Sequence, residues 1–223
     1  MKNTISEVEQ RLAARRVVPI AVIDSVEDAV PLARALAQGR LPVIEVTLRT
    51  PCALECIQAI RRSCPEMLVG AGTILDVPQV KAALGAGAMF GVSPGLNPEV
   101  AREAAKHGML FIPGVMTPSE VETALALGCR LLKFFPAEVA GGPRMLKALG
   151  GPYNAAGARF IPLGGVSAAN MGEYLALPNV AAVGGSWMCE RRLVREKKWA
   201  ELTAIAAAAV AKAAAGTKAG AGA

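Results

Sequence analysis

The chain has 223 residues, 53% apolar and 19% charged, with a net charge of +6. That length holds one domain with a sizeable core, and the composition is that of a folded globular chain, which excludes a disordered one. Aromatic residues make up only 4%, too few for base-stacking platforms, so nucleic acid is not an expected partner.

An amphipathic segment over 4–16, with Ser6-x-x-Glu9 as a capping box, predicts an opening helix. Strand candidates follow at 17–23, 42–47, 67–72 and 88–92, then at 109–112, 130–135, 158–163 and 180–183. Helical patterns lie between them. Ser25 with Asp28 caps the first crossover helix, and Pro31 inside it predicts a local kink. Asp76-Val77-Pro78 opens another helix, and Thr117-Pro118-Ser119-Glu120 supplies a cap, a proline at the first helical position and a capping-box glutamate. Ser167 before Ala168-Ala169 predicts one more start, while Gly39, Gly108 and Gly128 fall where helix stops are needed. Strict alternation of β and α with apolar strands requires a parallel sheet covered by helices. Eight such units in this length predict an α/β fold of the closed (β/α)8 TIM-barrel type with an extra N-terminal helix. The barrel domain is expected over 1–203. From about Ala204 to Ala223 the chain is rich in alanine and then Gly/Ala/Lys, read as the end of the last helix fraying into a tail.

One lysine is anomalous. Lys133 lies within Leu131-Leu132-Lys133-Phe134-Phe135-Pro136, whereas the other eight lysines occupy polar, alanine-rich or terminal contexts. Burial lowers a lysine pKa, and the neutral amine is the nucleophile of Schiff-base chemistry with ketones. The active face of a barrel is built from the C-terminal ends of its strands, and polar residues collect there. The second strand ends in Glu45-Val46-Thr47-Leu48-Arg49, the third in Gly72-Thr73, the fourth in Ser93-Pro94-Gly95 and the fifth in Pro113-Gly114; the sixth carries Lys133 and Phe135. Alternation places Glu45, Thr47 and Arg49 on one face and Lys133 with Phe135 on another, and the cost of burying charge against the helix layer turns both faces inward. Singly, each has a plain structural explanation: a buried Glu45–Lys133 ion pair, a structural clamp at Arg49, ordinary strand-end hydroxyls at Thr73 and Ser93. A carboxylate, an arginine and a lysine on one rim together point to catalysis. Gly164-Gly165 and Gly184-Gly185-Ser186 end the seventh and eighth strands, where barrels hold phosphate on backbone N–H groups and glycine lets the backbone come close.

The five cysteines (Cys52, Cys56, Cys64, Cys129, Cys189) are odd in number without a C-x-x-C pair. With no secretion signal at the start, reduced thiols and a cytoplasmic location are expected. Cys52 and Cys56 are spaced to share a helix face, yet no histidine or further cysteine completes a zinc set. The only histidine, His107, precedes Gly108 at a helix end and reads as a helix-terminus cation. No metal or other cofactor is expected. Arg191, Arg192, Arg195, Lys197 and Lys198 form the densest basic cluster, read as a solvated helix face. No apolar run reaches transmembrane length, so no membrane is expected as a partner.

Taken together, the segments resemble a family. Arg16-Val17-Val18-Pro19, Ile44-Glu45-Val46-Thr47-Leu48-Arg49-Thr50 and Val69-Gly70-Ala71-Gly72-Thr73 closely resemble the 2-keto-3-deoxy-6-phosphogluconate (KDPG) and 4-hydroxy-2-oxoglutarate (KHG) aldolases. So do Val92-Ser93-Pro94-Gly95-Leu96, Lys133-Phe134-Phe135-Pro136-Ala137-Glu138, Gly164-Gly165-Val166-Ser167 and Gly184-Gly185-Ser186-Trp187, in unbroken order from about residue 11 to 200. The resemblance implies a class I, metal-free carbon–carbon lyase with a (β/α)8 fold and no cofactor, usually a homotrimer. It implies cleavage of KDPG to pyruvate and glyceraldehyde 3-phosphate, with KHG, giving pyruvate and glyoxylate, a second substrate of some relatives. It further implies Lys133 as the Schiff-base lysine, Glu45 as the proton shuttle, and Arg49 and Thr73 on the substrate carboxylate. Phe135, Pro94 and Leu163 would pack on the substrate, and Gly164, Gly165, Gly185 and Ser186 would hold its phosphate. One departure bears on specificity. The family commonly has Pro-Thr-Gly-Gly where this chain has Pro162-Leu163-Gly164-Gly165, which makes the C4 epimer of the galactonate series an alternative main substrate. Two other readings use the same residues: a non-covalent sugar-phosphate isomerase or epimerase in which Glu45 or Lys133 moves a proton, and a non-catalytic barrel that senses a sugar phosphate.

Overall fold

The structure, a computed structural model, describes residues 4–219. Helix α1 (Ile5–Arg15) precedes strand β1 (Val17–Ala21), followed by α2 (Val26–Gln38), β2 (Val43–Thr47), α3 (Ala53–Ser63), β3 (Leu68–Gly72), α4 (Val77–Gly85), β4 (Phe90–Val92) and α5 (Pro98–Lys106). Then come β5 (Leu110–Ile112), β6 (Gly114–Val115), α6 (Pro118–Ala126), β7 (Leu131–Phe134), α7 (Gly142–Tyr153), β8 (Arg159–Pro162), α8 (Met171–Leu175) and β9 (Val183–Gly185). A 3-10 turn (Ser186–Cys189), α9 (Arg191–Arg195) and α10 (Trp199–Ala219) complete the described chain.

All strand pairs are parallel and run in two ladders, β5-β4-β3-β2-β1-β9 and β6-β7-β8. The ladders meet at Pro113, which has no N–H to continue β5 into β6 but whose carbonyl accepts from the Lys133 N–H at 2.9 Å. On the other side they meet at Phe160, which pairs with Val180 as an isolated bridge. The closed ring is the expected (β/α)8 barrel, with β5 and β6 sharing the fifth position. Every residue of β2 and β3 is buried, as strands covered by helices outside and packed side chains inside must be. Helix α1 closes the N-terminal end of the barrel: its Leu12 lines the same internal cavity as Glu45 and Lys133.

Several local expectations need correction. The capping box of α1 is made by Thr4 and Glu7, with the Thr4 N–H donating to Glu7 Oε2 at 2.6 Å, and not by Ser6 and Glu9. Helix α2 runs unbroken through Pro31. The last strand lies at Val183–Gly185 instead of 180–183, because the ladder edge offered by β1 is in register with Val183 onward. After β8 the helix begins only at Met171; Ser167 makes a turn, its Oγ accepting from the Ala169 N–H at 3.3 Å. The Thr117–Glu120 box, the Asp76 cap and the Ser25 cap are as expected. The alanine-rich segment does not fray from Ala204. It continues α10 to Ala219, with Ala206, Ala209 and Ala213 buried, and only Gly220–Ala223 of the expected tail lies outside the described residues.

Helix α10 can press this closely on the end of α2 because position 39 is a glycine: a Cβ there would lie 2.7 Å from the Cβ of Ala206. Gly39→Ala is expected to push α10 outward and destabilise the protein by about 1–3 kcal/mol, the usual cost of overpacking. Urea unfolding of the full chain measures it; an unchanged midpoint would remove α10 from the barrel's packing.

Candidate active site

Lys133 and Glu45 sit on opposite walls of the barrel, on β7 and β2, and both line one internal cavity. They are 6% and 2% exposed, and Lys133 is the one buried lysine among the described residues. The rest of that cavity is apolar, formed by side chains such as Ile20, Phe90, Ile112, Ile161 and Leu163. Burial pushes the Lys133 amine below its ordinary pKa; the opposing charge of Glu45 acts upward, and the guanidinium of Arg49 acts downward again. Burial likewise pushes the Glu45 carboxyl up, against the pull of Lys133. For each group the loss of water outweighs the opposite charge across the cavity, and the neutral form is favoured. The amine also lies over the Phe135 ring, 4.7 Å from its centroid, as the alternation of β7 requires.

The space for the Glu45 carboxyl exists because Gly72, the register partner of Thr47 two residues further along the ladder, has no side chain. A Cβ on Gly72 would lie 1.9 Å from Glu45 Oε1. The next residue, Thr73, has φ of +61°, a left-handed backbone that a β-branched residue adopts only under constraint. Such strain collects at functional sites. Leu48 donates its N–H to the Gly72 carbonyl at 2.8 Å, so Arg49 and Thr73 emerge from adjacent strand ends. Arg49 is exposed at the rim, not inside with Glu45, while Thr47 is buried and spends its hydroxyl on the Ala21 carbonyl at 3.1 Å. Pro94 reaches the same region: its carbonyl passes over Gly114, the register partner of Lys133, where a Cβ would stand 2.0 Å away. Leu163 extends β8, its N–H donating to the Phe134 carbonyl at 2.9 Å, and its side chain faces Lys133's cavity while packing on Gly184.

Gly164 and Gly165 both have positive φ, 92° and 85°. The Gly164 carbonyl accepts from the Glu138 N–H at 3.0 Å and the Gly165 carbonyl from Asn170 Nδ2 at 3.1 Å. With both carbonyls turned into the protein, the two N–H groups have no acceptor among the described residues. Ser186 is exposed in a cleft of about 480 Å³ that also takes in Arg49, Trp187, Arg191 and Val166, the residue that follows Gly165 in the chain. Gly185 is different: it is buried under the Trp187 indole and serves to place Ser186.

The basic cluster is not simply a solvated face. Arg191 and Arg195 both hold Asp24, at the end of β1, and the hydrogen bond from Arg191 is the main reason its carboxyl falls to about 2. Arg192 pairs with Glu190 and Glu196. Cys52 and Cys56 do share a face, with sulfurs 3.9 Å apart, and His107 caps α5 with its Nε2 3.0 Å from Glu103. Among the described residues no group of three or more His, Cys, Asp or Glu is placed to hold a metal ion, and no helix is long and apolar enough to cross a membrane. Sequence reasoning placed Gly72 at a strand end but missed its contact with Glu45, and missed the left-handed Thr73 and the Asp24 clamp. For Gly72 the signal was there: a glycine ending the strand next to the one that carries a buried glutamate.

Comparison with known proteins decides what this geometry belongs to. Residues 8–205 match the model of the family described as KDPG and KHG aldolase. The chain belongs to the KDPG and KHG aldolase family. A 2-dehydro-3-deoxy-phosphogluconate aldolase of Treponema pallidum is 46% identical over 202 residues, covering 91% of this chain and 94% of that protein. The KHG/KDPG aldolase of Escherichia coli K12 is 41% identical over 210 residues, 94% of this chain and 98% of that one. A crystal structure of the KDPG aldolase from Legionella pneumophila, with pyruvate captured at low pH as a covalent carbinolamine intermediate, superposes with a TM-score of 0.88 at 40% identity, covering 94% of this chain and 99% of that one. As a member of this aldolase family the protein is a carbon–carbon lyase of the class I, Schiff-base kind.

Gly72→Ala tests the Glu45 geometry without touching a polar atom. The methyl group must displace the carboxyl by about 1 Å or more, which costs on the order of 10²-fold in turnover when a reacting group is involved. Pyruvate-coupled turnover is expected to fall by that factor with the circular dichroism unchanged; turnover within about threefold of the parent would show that the Glu45 position is not critical.

Proposed function

We propose that the protein cleaves 2-dehydro-3-deoxy-6-phosphogluconate to pyruvate and glyceraldehyde 3-phosphate, with Lys133 as the nucleophile and Glu45 as the proton carrier. The observation that carries the reading is the pair itself: a lysine and a glutamate buried across one apolar cavity, each driven toward its neutral form. A neutral amine attacks the C2 ketone, and loss of water from the carbinolamine leaves an iminium ion. Glu45 protonates the departing hydroxyl and takes the proton back from later steps, a role that needs a carboxyl able to change state near neutral pH. Loss of the C4 hydroxyl proton then lets the C3–C4 electron pair flow into the iminium. The aldehyde leaves, and the pyruvate enamine is protonated at C3 and hydrolysed from Lys133.

The rim residues bind the two ends of this substrate. Arg49 offers paired N–H groups to the C1 carboxylate, beside the Thr73 strand end. The free N–H groups of Gly164 and Gly165, with Ser186, take the phosphate at the far end. Phe135, Pro94 and Leu163 wall the carbon chain between them. KHG, which has no phosphate, fits the same inner half and is proposed as a second substrate. The same reading carries a homotrimer, in which apolar side chains such as Val139, 84% exposed in the single chain, find cover. The sensor barrel accounts less well for a lysine held out of solvent, since it needs no neutral amine, and the non-covalent isomerase differs in forming no adduct on Lys133.

Borohydride reduction in the presence of pyruvate, followed by peptide mass mapping, tests the mechanism directly. The adduct is expected on Lys133 alone. Because only the neutral amine reacts, trapping should rise with pH through a midpoint clearly below the ordinary 10.5 of a lysine. Arg49→Gln removes a cation that pushes this midpoint down, so the midpoint should move up. An adduct on another lysine, or a wild-type midpoint near the ordinary value, contradicts the assignment.

Leu163 supports a second expectation. It presents only carbon to the cavity that Lys133 lines, so a substrate hydroxyl on that side meets no partner from this position. Pockets that do not hydrogen-bond a hydroxyl discriminate weakly. The gluconate- and galactonate-series epimers are therefore expected to be cleaved with kcat/KM values within about 10²-fold, and Leu163→Thr should widen the ratio. A parent ratio beyond about 10⁴ would assign stereochemical control to other residues.

A further inference from the structure

Two successive glycines in left-handed backbone are a poorly populated state of a free Gly-Gly segment, since glycine has more conformational freedom to lose than any other residue. Contacts from elsewhere in the chain nevertheless fix the turn at Gly164–Gly165 in this form. Two hydrogen bonds hold its carbonyls, from the Glu138 N–H to Gly164 and from Asn170 Nδ2 to Gly165. Asn170 is itself fixed, its Oδ1 accepting from the Ser167 N–H at 2.8 Å. A further contact is less ordinary. The side chain of Glu138 lies directly on Gly165: a Cβ at that position would stand 2.3 Å from Glu138 Cγ and 2.7 Å from its Cβ.

Glu138 is an exposed residue in the β7–α7 connection, and an exposed carboxylate has no reason of its own to lie against a glycine. Tyr174 supplies the reason. Its hydroxyl donates to Glu138 Oε1 from α8, where the tyrosine is fully buried at 0% exposure. The phenol is fixed by the core, the carboxylate is fixed by the phenol, and the methylenes of Glu138 then cover Gly165. The aldol chemistry uses neither residue.

We propose that Glu138 and Tyr174 are a positioning pair that pre-forms the Gly164–Gly165 turn, and thereby sets how strongly the enzyme prefers phosphorylated over unphosphorylated 2-keto acids. The inference rests on the assignment of that turn to the substrate phosphate. With the turn held, its N–H groups converge on an anion without an ordering cost at the moment of binding; with the pair broken, that cost falls on the phosphate end of the substrate alone. Glu45 and Arg49 belong to β2 and its end, and Lys133 lies within the β7 ladder with its N–H bonded to the Pro113 carbonyl, so all three keep their geometry.

Three variants test it: Tyr174→Phe, which keeps the ring and removes the hydroxyl; Glu138→Ala, which removes the acceptor; and Glu138→Gln, which keeps an oxygen for the phenol. The readouts are KM and kcat for the phosphorylated substrate, competitive inhibition by inorganic phosphate, and the pyruvate concentration that half-saturates borohydride trapping. Tyr174→Phe and Glu138→Ala are expected to raise KM and the phosphate inhibition constant about tenfold, the weight of one hydrogen bond to a charged group, with kcat and pyruvate trapping changed less than about twofold. Glu138→Gln should stay within about threefold of the parent in all readouts. Unchanged phosphate inhibition in the first two variants, or pyruvate trapping that weakens in step with it, overturns the proposal, the second because it marks a general structural role. If the parent itself is not inhibited by phosphate but still traps pyruvate on Lys133, the phosphate assignment of the turn falls and takes this inference with it, while the Schiff-base reading stands.

Discussion

The structure is organised around one costly arrangement: an amine and a carboxyl group facing each other in a cavity otherwise made of carbon. Water is the best solvent for both charges, and neither has it. Burial therefore moves both groups toward neutrality, the direction that favours a nucleophilic amine and a proton-donating carboxyl in the proposed reaction. The surrounding features follow from that need. Leu12 of α1 stops the cavity below, the Phe135 ring gives the ammonium form a face to rest on, and the absent side chain of Gly72 leaves room for the Glu45 carboxyl.

Charge is handled differently at the mouth. There the arginines lie at the surface instead of in the cavity, and they are disposed differently. Arg191 and Arg195 are consumed by Asp24, whereas Arg49 contributes to the field felt by Lys133 and is the one proposed for the substrate carboxylate. Fixed arginine–carboxylate contacts at a surface add little stability, but they keep spare guanidinium groups from competing for an anionic ligand. The phosphate end uses no charged side chain at all in its turn, only backbone N–H groups freed by committing the adjoining carbonyls. On the proposed function, the two ends of the site would recognise anions by different means and so orient a substrate that is anionic at both ends.

Much of this was legible in the residues. Apolar strands alternating with capped helices gave the barrel, because period and capping are local properties. Lys133 stood out because an ammonium inside Leu-Leu-x-Phe-Phe has no solvent to turn to. The limits were set by properties that are not local. The last strand moved to Val183–Gly185 because its register is decided by the edge of β1, far away in sequence. Pro31 was compatible with an unbroken α2, and the poor hydropathy contrast of the alanine-rich end hid how far the last helix runs and how closely its small side chains pack. Thr73 argued against itself, since a β-branched residue is the last choice for a left-handed backbone. Tyr174 and Glu138 lie 36 residues apart, and nothing in either neighbourhood announces the other.

The two ladders have a consequence for how the molecule responds to its ligand. Lys133, Phe135 and the Gly164–Gly165 turn belong to the shorter ladder or extend from it, while Glu45, Arg49 and Thr73 belong to the longer one. The seams between them are thin, a proline carbonyl on one side and the single Phe160 bridge on the other. In the proposed reaction a keto acid bonded to Lys133 and held by Arg49 would span the barrel as a cross-brace, tying together two curved plates that the backbone joins sparsely. Occupancy would then stiffen the container as well as fill it, with the gain in rigidity drawn from the same binding energy that aligns the scissile bond.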